Sequence, residues 1–581
     1  MLFYTVASYF DRLRQVSSRK EMIVYLAELF DHATADEAAQ IAYLVLGELR
    51  PPYEGTRFNL AEKSLIPIAA KVLQEPIADV KYKMVQAGDI GDILVAGKWT
   101  STVKLTVGEM HELLSDIEKL HGSGSQDTRM RALEHLLSNV TPLEAALVVR
   151  IINGSLRLGF SDMTIIDAIS WMLSGTTKDH DIIERAYNVC ADIGRIVMYA
   201  KHGGIEKVQD VHITPGIPIR PAAAERLSTA EDIMKKLGTC IAQPKLDGFR
   251  VQVHVIVEQG VTLKFFSRNL QRMDNMFPEF VAAFQDWQGE SCIIEGEAIA
   301  YDEETGQLLP FQETVKRRRK HEVSVSARAY PLRLVLFDVL YAHNKETLTL
   351  PHHARYTLLC HIVSLVKSVA VSVIEERIIK TAHELQSYFT QAVSYGLEGL
   401  VVKRDDAPYQ AGKRNFNWIK IKRQSIGHLE DTIDAVIIGY YAGRGKRARF
   451  GIGAFLVAVY NAKLDTFETI AKIGTGLSDI EWQQLKKKCD ERVVHKKPIN
   501  AVVARELEPD VWVAPEYVVE VAADEITLSP LHSAGVTSQQ ATGFALRFPR
   551  MVNFRADKSA VDATTVHEVQ ELYRHQRVVE R

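Results

Sequence analysis

A change of pattern near residue 215 constrains the fold of this 581-residue chain more than any other feature. Before it, helix-capping residues precede apolar residues spaced three or four apart, as in the segments that begin at Ser18, Thr34, Thr106 and Thr141. The stretch 213–227 then contains three prolines, and short β-branched runs follow it. The chain therefore cannot be a single helical bundle or a single β-sandwich. We predict an all-helical N-terminal domain over residues 1–215.

The middle of the chain mixes two periodicities. Valine alternates with other residues over 251–257, which is the period of a strand, and further apolar runs lie at 332–341 and 397–403. Segments with helical spacing, such as 381–395, separate these runs. We predict a mixed α/β domain over residues 216–424.

The last part of the chain has a third pattern. Apolar runs at 433–441, 454–460 and 516–523 are separated by glycines, which is typical of a small β-barrel. We predict such a domain over residues 425–581, so that the whole chain is multidomain α+β.

Composition excludes several classes of protein. The chain has 46% hydrophobic and 25% charged residues, the proportions of a globular protein rather than a disordered, collagenous or coiled-coil one. Lys and Arg total 70 against 73 for Asp and Glu, a formal charge of -3, so any nucleic-acid function must come from local basic patches.

Cysteine usage and the apolar runs predict the compartment. The five cysteines are far apart and form no Cys-x-x-Cys pair, which disfavours a disulfide framework or a zinc finger and suits a reducing compartment. The N-terminus lacks the basic start of a secretory signal, and no apolar run reaches the 18 or so residues of a membrane span. We expect a cytoplasmic protein without membrane association.

The sharpest local motif is Pro-Lys-Leu-Asp-Gly-Phe-Arg at 244–250, directly before the predicted strand. Lys245, with Asp247 and Arg250 nearby, is suited to nucleophilic attack on phosphorus if its amine is neutral and a phosphate is held against it. An isolated Lys-x-Asp-Gly could equally be a surface lysine in a turn, so the rest of the chain must decide.

Five further motifs follow in order. They are Ser267-Arg268-Asn269, Glu295-Gly296-Glu297, Phe337 within LFDVLY, Glu398-Gly-Leu-Val-Val-Lys403, and Trp418-Ile-Lys420-Ile-Lys422. With the first motif they resemble the motif series of the covalent nucleotidyltransferases, namely DNA ligases, RNA ligases and mRNA capping enzymes. The resemblance implies that Lys245 forms a phosphoramide with the α-phosphate of a nucleotide. It also implies that Arg268 and Glu297 contact ribose or phosphate, and that Phe337 stacks on the purine.

The residue types suit this chemistry. Reaction at the α-phosphorus of a triphosphate spreads negative charge over its oxygens, which nearby cations can neutralise: Arg250, Arg414, Lys420 and Lys422. Glu297 and Glu398 offer the hard oxygen ligands that suit Mg²⁺, with Mn²⁺ as an alternative. The cations should also lower the pKa of Lys245. Two alternatives stay open: Phe337 as a core residue, and Lys403 as a paired surface lysine.

The flanks favour one branch of this superfamily. Within the helical region, HGSGSQDTR (121–129) and NGSLRLGFSD (153–162) resemble segments of the DNA-binding domain of ATP-dependent DNA ligases. Small residues there let backbone amides approach a phosphate chain, which fixes position without reading sequence. The resemblance implies DNA contacts by Ser123, Ser125, Arg129 and Arg157. Either segment alone could be a helix-connecting loop.

The C-terminal region adds to the same resemblance. Arg547 and Arg550, followed by Arg555, Asp557 and Lys558, resemble the last ligase motif, which an OB-fold carries and which orients pyrophosphate. The basic run 316–320 also occurs in ligases, with a nuclear-import signal as the alternative. The resemblance covers nearly the whole chain and is strongest to the archaeal and related bacterial ATP-dependent DNA ligases. It implies ATP as cofactor, nicked duplex DNA as substrate, a nucleoid-associated monomer, and a sliding clamp as a candidate partner.

Two sites depart from these motifs or add to them. Gln243 stands two residues before Lys245, where many relatives carry glutamate, so the contact to adenine there stays open. The pair His352-His353 lacks a third metal ligand at a useful spacing, and we expect it in a solvated turn. Two other functions stay open: a nucleotidyltransferase that acts on RNA, and a DNA-binding scaffold without catalysis.

Overall fold

The computed structural model describes most of the chain. It covers residues 1–578 except 17, 121, 123, 155, 157, 159–160, 304–305, 310–312, 315, 318–326, 328, 396, 423–431, 444–446, 448–449 and 538–540. By Cα proximity the chain divides into two compact units, Met1–Lys81 with Ile90–Arg423, and Tyr82–Asp89 with Gln424–Arg581. The division into three domains stays a prediction.

The N-terminal region is helical, as predicted. Its helices are α1 (Phe3–Gln15), α2 (Arg19–His32), α3 (Ala35–Leu44), α4 (Glu62–Leu73), α5 (Ile77–Ala87), α6 (Ile90–Val95), α7 (Val107–Lys119), α8 (Ser125–Asn139), α9 (Pro142–Ile152), α10 (Asp162–Ser174), α11 (His180–Val189) and α12 (Ile193–Gln209). The helix N-termini predicted from the capping residues are confirmed. Thr34, Thr106 and Thr141 each cap a helix, and a glutamate three residues on completes the capping box by bonding back to the cap's backbone N–H.

The central region is mixed α and β. Its strands are β1 (Ala223–Arg226), β2 (Cys240–Lys245), β3 (Phe249–Val257), β4 (Val261–Ser267), β5 (Cys292–Ala300), β6 (Leu332–Ala342), β7 (Lys345–Glu346), β8 (Val371–Val373), β9 (Arg377–Ile379), β10 (Gly399–Lys403) and β11 (Arg414–Lys422). Its helices are α13 (Ala230–Leu237), α14 (Pro278–Ala283), α15 (His352–Ser364) and α16 (Ala382–Ser394).

These strands form two largely antiparallel sheets. One has the order β1-β11-β10-β2-β9, and the other has the order β4-β3-β5-β6-β7, with β8 also paired to β6. Each sheet has its own buried cluster, one that includes Val253 and Leu334 and one that includes Ala242 and Ile419. The end of β2 and the turn to β3 connect the two sheets, and Lys245 lies at this junction.

The proline-rich segment after α12 covers one face of β3. The Gln252 side chain accepts from the backbone N–H of Ile219 at 2.8 Å and donates to its carbonyl at 3.1 Å. His254 Nδ1 accepts from Gly216 N–H at 2.9 Å. Both side chains are therefore buried although they are polar, because each is hydrogen-bonded to this segment.

The C-terminal region is strand-rich. Its strands are β12 (Ile433–Tyr441), β13 (Ala454–Asn461), β14 (Thr466–Ile473), β15 (Val493–Val494), β16 (Ala501–Val502), β17 (Val511–Val513), β18 (Val518–Ala522), β19 (Glu525–Ser529), β20 (Gly543–Arg547) and β21 (Arg550–Phe554), and its helices are α17 (Asp479–Asp490) and α18 (Val566–Val578). The main sheet has the order β15-β17-β12-β13-β14-β16, and β18 pairs with both β12 and β21. The predicted strand runs at 433–441 and 454–460 are confirmed.

Candidate active site

Lys245 is the last residue of β2 and lies opposite Gly399 of β10. Its Nζ forms an ion pair with one carboxylate oxygen of Glu398, and Lys422 Nζ pairs with the other oxygen. Burial tends to raise the pKa of Glu398, but the two lysines outweigh it and hold that pKa below its ordinary value. Glu398 therefore stays ionised between the two amines.

A cavity of about 1100 Å³ opens at this point, and strands of both central sheets line it. Predicted residues in its wall are Gln243, Lys245, Arg250, Arg268, Glu297, Phe337, Lys403, Lys420 and Lys422. Arg57, from the helical region, also lines it, although no sequence motif marks that residue. The volume is larger than most small-molecule sites and is sufficient for a nucleotide.

Glu297 lies at the base of the Lys-x-Asp-Gly turn. Its Oε1 accepts from the backbone N–H of Gly248 at 3.1 Å. Burial raises the pKa of Glu297 to about 7, although Lys245 and Arg250 act to lower it. A Cβ at position 248 would lie 2.5 Å from the carbonyl oxygen of Ala298, so only glycine allows this turn to approach β5.

Cations converge on Lys420. Burial lowers the pKa of Lys420, and the positive charges of Lys422, Arg414, Arg268 and Lys245 lower it further. Such shifts require these groups to lie close together, which makes this wall of the cavity strongly electropositive. An array of this kind can bind the phosphates of a nucleotide.

Arg250 is held rigidly at the cavity wall. Its Nε donates to Glu295 at 2.8 Å and its Nη1 to the carbonyl of Ala222 at 2.7 Å. Burial acts to lower its pKa, but Glu295 and Tyr409 raise it above the ordinary value. Its guanidinium lies 5.4 Å from the centre of the Phe337 ring.

Phe337 and Lys403 form one cluster. Lys403 is only 1% exposed, and its Nζ donates to the Phe337 carbonyl at 3.1 Å and lies 4.4 Å from the centre of the Trp418 ring. The alternative of a paired surface lysine is therefore wrong, because the sheet and two aromatic rings enclose this side chain. The Phe337 ring is half-buried at the cavity wall and packs edge-on against Trp418.

Asp247 lies in the turn after Lys245. It is half-buried, and its charge acts to raise the pKa of Glu297, so the two carboxylates lie close together. Arg414 begins β11, and its side chain is exposed.

A second polar cluster was missed by the sequence analysis. Gln243 Nε2 donates to Glu376 Oε2 at 3.0 Å, and His352 Nε2 lies 3.1 Å from the same oxygen. The expectation of a solvated turn at His352 is wrong: this residue starts α15 and is 1% exposed. No motif signals the cluster, because its members come from three distant segments.

The residues predicted to contact DNA are only partly described. Ser123 and Arg157 lie outside the described residues. Ser125 begins α8 and is half-buried. Arg129 is 5% exposed, and its guanidinium donates to the Leu120 carbonyl. Burial of Arg129 contradicts a direct contact to a DNA phosphate and instead makes it a brace between α7 and α8.

The basic run at 316–320 is likewise only partly described, because 318–320 lie outside the described residues. Lys316 pairs with Glu313 at 2.6 Å. Arg317 is 2% exposed and pairs with Glu279 at 2.6 Å. At least Arg317 is therefore a structural residue rather than part of an exposed signal.

The cations of the predicted last motif all have acidic partners within the C-terminal region. Arg547 pairs with Glu525, and Arg550 pairs with Asp524 at 2.9 Å. Arg555 bonds to both oxygens of Asp434 at 3.1 Å and to Asp557 at 2.7 Å, and Lys558 bonds to Asp434 at 2.6 Å. These ion pairs fix the direction of the side chains.

Among the described residues, His180, Asp181 and Glu184 have ligand atoms within 4.8 Å of one another, but none of the three lines the cavity. Glu297 and Glu398 both lie close enough to Lys245 for its charge to lower their pKa values. These two carboxylates are the candidate metal ligands of the cavity.

A strand-end lysine, an electropositive cavity and two carboxylates lie together between two largely antiparallel sheets, an arrangement that suits an enzyme acting on the phosphates of a nucleotide. Matches to family models identify the enzyme family. "DNA ligase N terminus" matches residues 2–170, "ATP dependent DNA ligase domain" matches 221–422, and "ATP dependent DNA ligase C terminal region" matches 448–558. The chain belongs to the ATP-dependent DNA ligase family.

The sequence similarity to known DNA ligases extends over nearly the full length of the chain. The chain is 43% identical to "Probable DNA ligase" of Dictyoglomus thermophilum, over 99% of this chain and 98% of the relative. It is 37% identical to "DNA ligase" of Sulfolobus acidocaldarius, with the same coverage of each. The solved structure "Pmar-Lig_PreS3" has the same fold, with a TM-score of 0.57 at 18% identity over 95% of this chain and 99% of that one. Among the described residues, no helix has the length and apolar character to cross a membrane.

Proposed function

We propose that Lys245 is the nucleophile with which this ATP-dependent DNA ligase forms a lysyl-AMP intermediate and then seals nicks in duplex DNA. One observation carries the assignment: Lys245 lies at the wall of the nucleotide-sized cavity, between Glu398 and the cations around Lys420. The ion pair with Glu398 holds the amine in place. The reaction requires that the amine first lose its proton.

Three displacements at phosphorus share this site. Lys245 Nζ attacks the α-phosphorus of ATP, the N–P bond forms, and pyrophosphate leaves with the electrons of the P–O bond. An oxygen of the 5′-phosphate at the nick then attacks the same phosphorus, and the lysine leaves. Finally the 3′-hydroxyl attacks the 5′-phosphorus, loses its proton and displaces AMP. In each step charge builds on phosphate oxygens, which Lys420, Lys422 and Arg268 stabilise.

Glu297 and Glu398 fit a divalent cation, and we assign them as the residues that would hold Mg²⁺ or Mn²⁺. Both offer hard oxygen atoms. The raised pKa of Glu297, about 7, also means that its carboxylate needs further positive charge nearby to be fully ionised at neutral pH. A bound cation would supply Lewis-acid stabilisation of the phosphate oxygens.

DNA binding involves the helical and C-terminal regions in this proposal. The substrate contacts are to phosphates, so binding depends on duplex shape and weakens as salt rises. Ser125 is the described candidate for a DNA contact, and Arg547, Arg550, Arg555 and Lys558 of the C-terminal region are the candidates for orienting pyrophosphate. We further propose a monomer in the cytoplasm that associates with the nucleoid, with a sliding clamp as candidate partner.

The test is incubation with ATP labelled at the α-phosphate. The wild-type chain should retain acid-labile label, Lys245→Ala should retain none, and the matched surface variant Lys367→Ala should retain it fully. Absence of label on the wild type, or equal label on Lys245→Ala, would refute the assignment. A nicked duplex with DNA or RNA strands then identifies the polymer, and we expect sealing of DNA.

A further inference from the structure

Arg57 is a cation of the cavity wall that comes from the helical region. It lies in the segment between α3 and α4, whereas the other described cations of the wall belong to the central region. The residue is exposed, and its guanidinium forms no hydrogen bond or ion pair with any residue that the structure describes. An arginine in this state can bind an anion without giving up a contact of its own.

Most other cations of this wall already have carboxylate partners. Five of them do: Lys245, Arg250, Arg272, Lys403 and Lys422. Three cations of the wall form no ion pair within the described part of the chain: Arg57, Arg268 and Lys420. An anion that binds to these three displaces no carboxylate, so they are the most favourable contacts for a phosphate.

The segment that carries Arg57 is held in place through its backbone. The Arg57 N–H donates to Glu118 Oε1 of α7 at 3.0 Å, and Arg50 Nη2 donates to the other carboxylate oxygen at 2.8 Å. Thr56 Oγ1 accepts from the Leu49 N–H at 3.0 Å and closes the loop. None of these bonds uses the Arg57 side chain, so replacing that side chain leaves the loop in position.

An aromatic contact fixes this loop against the central region. The Tyr53 ring packs edge-on against Phe266 with ring centres 6.2 Å apart, and its hydroxyl donates to the buried Asp192 carboxylate at 2.9 Å. Phe266 lies in β4, just before Arg268, and Tyr53 lies just before Arg57 in the loop. The contact therefore holds the loop beside the strand end that carries Arg268, and both arginines line the same cavity.

We propose that Arg57 is a further phosphate-binding residue of the ligase reaction, supplied to the cavity by the helical region. Its planar guanidinium can donate to two oxygens of one phosphate. Two phosphate groups enter the cavity in the proposed reaction, the triphosphate of ATP and the 5′-phosphate at the nick, and they share this chemistry. The role rests on the proposed function at Lys245. It gives the helical region a part in the chemical steps as well as in DNA binding.

The experiment separates the two sources of phosphate. In the first arm, label transfer from α-labelled ATP to Lys245 is measured as kcat/KM without DNA. In the second arm, sealing of a nick whose 5′-phosphate already carries AMP is measured without ATP. Arg57→Gln should lose about tenfold or more in at least one arm, which is what a hydrogen bond to a charged group contributes. A loss in the first arm assigns Arg57 to the triphosphate, and a loss in the second arm assigns it to the nicked strand.

The size of the effect should follow the charge at position 57. Arg57→Glu should lose more activity than Arg57→Gln, because it places a negative charge beside the phosphate. Both variants should melt at the wild-type temperature, because the backbone holds the loop. The control Arg12→Gln removes an exposed arginine of α1 that does not line the cavity, and it should leave both arms unchanged.

Wild-type rates of Arg57→Gln in both arms would overturn the proposal, and so would equal losses in Arg57→Gln and Arg57→Glu. Failure of ATP to label Lys245 in the wild type would instead refute the proposed function. In that case calorimetric titration with inorganic triphosphate still tests Arg57. The affinity should fall about tenfold in Arg57→Gln, and an unchanged affinity would overturn the phosphate contact.

Discussion

Several ionisable side chains of this ligase are almost completely buried, and each keeps its charge state through a partner from another segment. Burial lowers the pKa of Lys403 to about 8, while Asp338 acts to raise it. Burial acts in turn to raise the pKa of Asp338, but Arg355 and Lys403 hold it below its ordinary value. Arg355 bonds to both oxygens of Asp338, at 2.7 and 3.2 Å. Removing one member of such a pair strongly destabilises the folded protein, because the other charge is left buried without a partner.

His254 gives the clearest pH dependence of stability. Burial lowers its pKa to about 3, with Lys264 adding to the effect. Between about pH 6.5 and 3 the unfolded chain binds a proton at this residue and the folded chain does not, so its contribution to stability is complete above pH 6.5 and is lost as pH falls. From pH 6.5 to 5 the free energy of unfolding should fall by about 2 kcal/mol more in the wild type than in His254→Gln.

Thermal melting at a series of pH values measures this difference. The exposed His361→Gln variant is the control and should follow the wild type. Parallel pH profiles for the wild type and His254→Gln would contradict a neutral buried imidazole.

At the scale of elements, the close approach of β10 to β11 depends on one glycine. Gly399 has φ +145°, and a Cβ there would lie 2.2 Å from the carbonyl oxygen of Ile421. Both the backbone conformation and the space exclude a side chain. The same junction carries Lys245 opposite Gly399 and Glu398 beside it.

Gly399→Ala should therefore damage the site as well as the sheet. We expect β10 to shift, Glu398 to lose its place between the two lysines, and label transfer from ATP to fall about 100-fold, since small displacements of positioned groups cost this much. Rapid-quench labelling measures the effect. Gly108→Ala, where a Cβ would have no neighbour within 4 Å, should leave the rate unchanged. Wild-type labelling by Gly399→Ala would show that the junction tolerates the shift.

Local elements were predictable, and long-range polar contacts were not. The capping boxes at Thr34, Thr106 and Thr141 depend on residues three apart, so the sequence alone predicts where those helices begin. The burial of His352 depends on a contact with Glu376, which lies 24 residues further along the chain, and no local sequence pattern predicts that contact. The motif residues around the cavity were identified from their resemblance to a family, whereas their hydrogen-bond partners required the structure.

At the scale of the whole molecule, the hydrophobic clusters described for the central and C-terminal regions draw on separate parts of the chain. The two C-terminal clusters contain buried residues from Ile433 to Val569 and none from the helical or central regions. The clusters under the two central sheets draw on residues between Ala230 and Ile421. A region that has its own hydrophobic core can in principle fold alone.

We accordingly expect a fragment of residues 432–581 to fold by itself. It should unfold in one cooperative thermal transition, with near-ultraviolet dichroism from the buried Trp482. The matched variant Val457→Asp, which puts a charge into the core, should abolish that transition. A broad melt without cooperativity in the unmodified fragment would contradict the expectation.

The N-terminal side of the molecule is less modular. Gln252 and His254 on β3 obtain their hydrogen bonds from backbone groups of Gly216 and Ile219, in the segment that follows α12. A chain cut within that segment would leave the His254 imidazole and the Gln252 amide on the face of β3 without the backbone groups that hydrogen-bond to them. Any smaller ligase derived from this one by deleting the helices would therefore need different residues at positions 252 and 254 of β3. The connecting segment acts as part of the central domain, because it covers a face of its sheet as a further strand would.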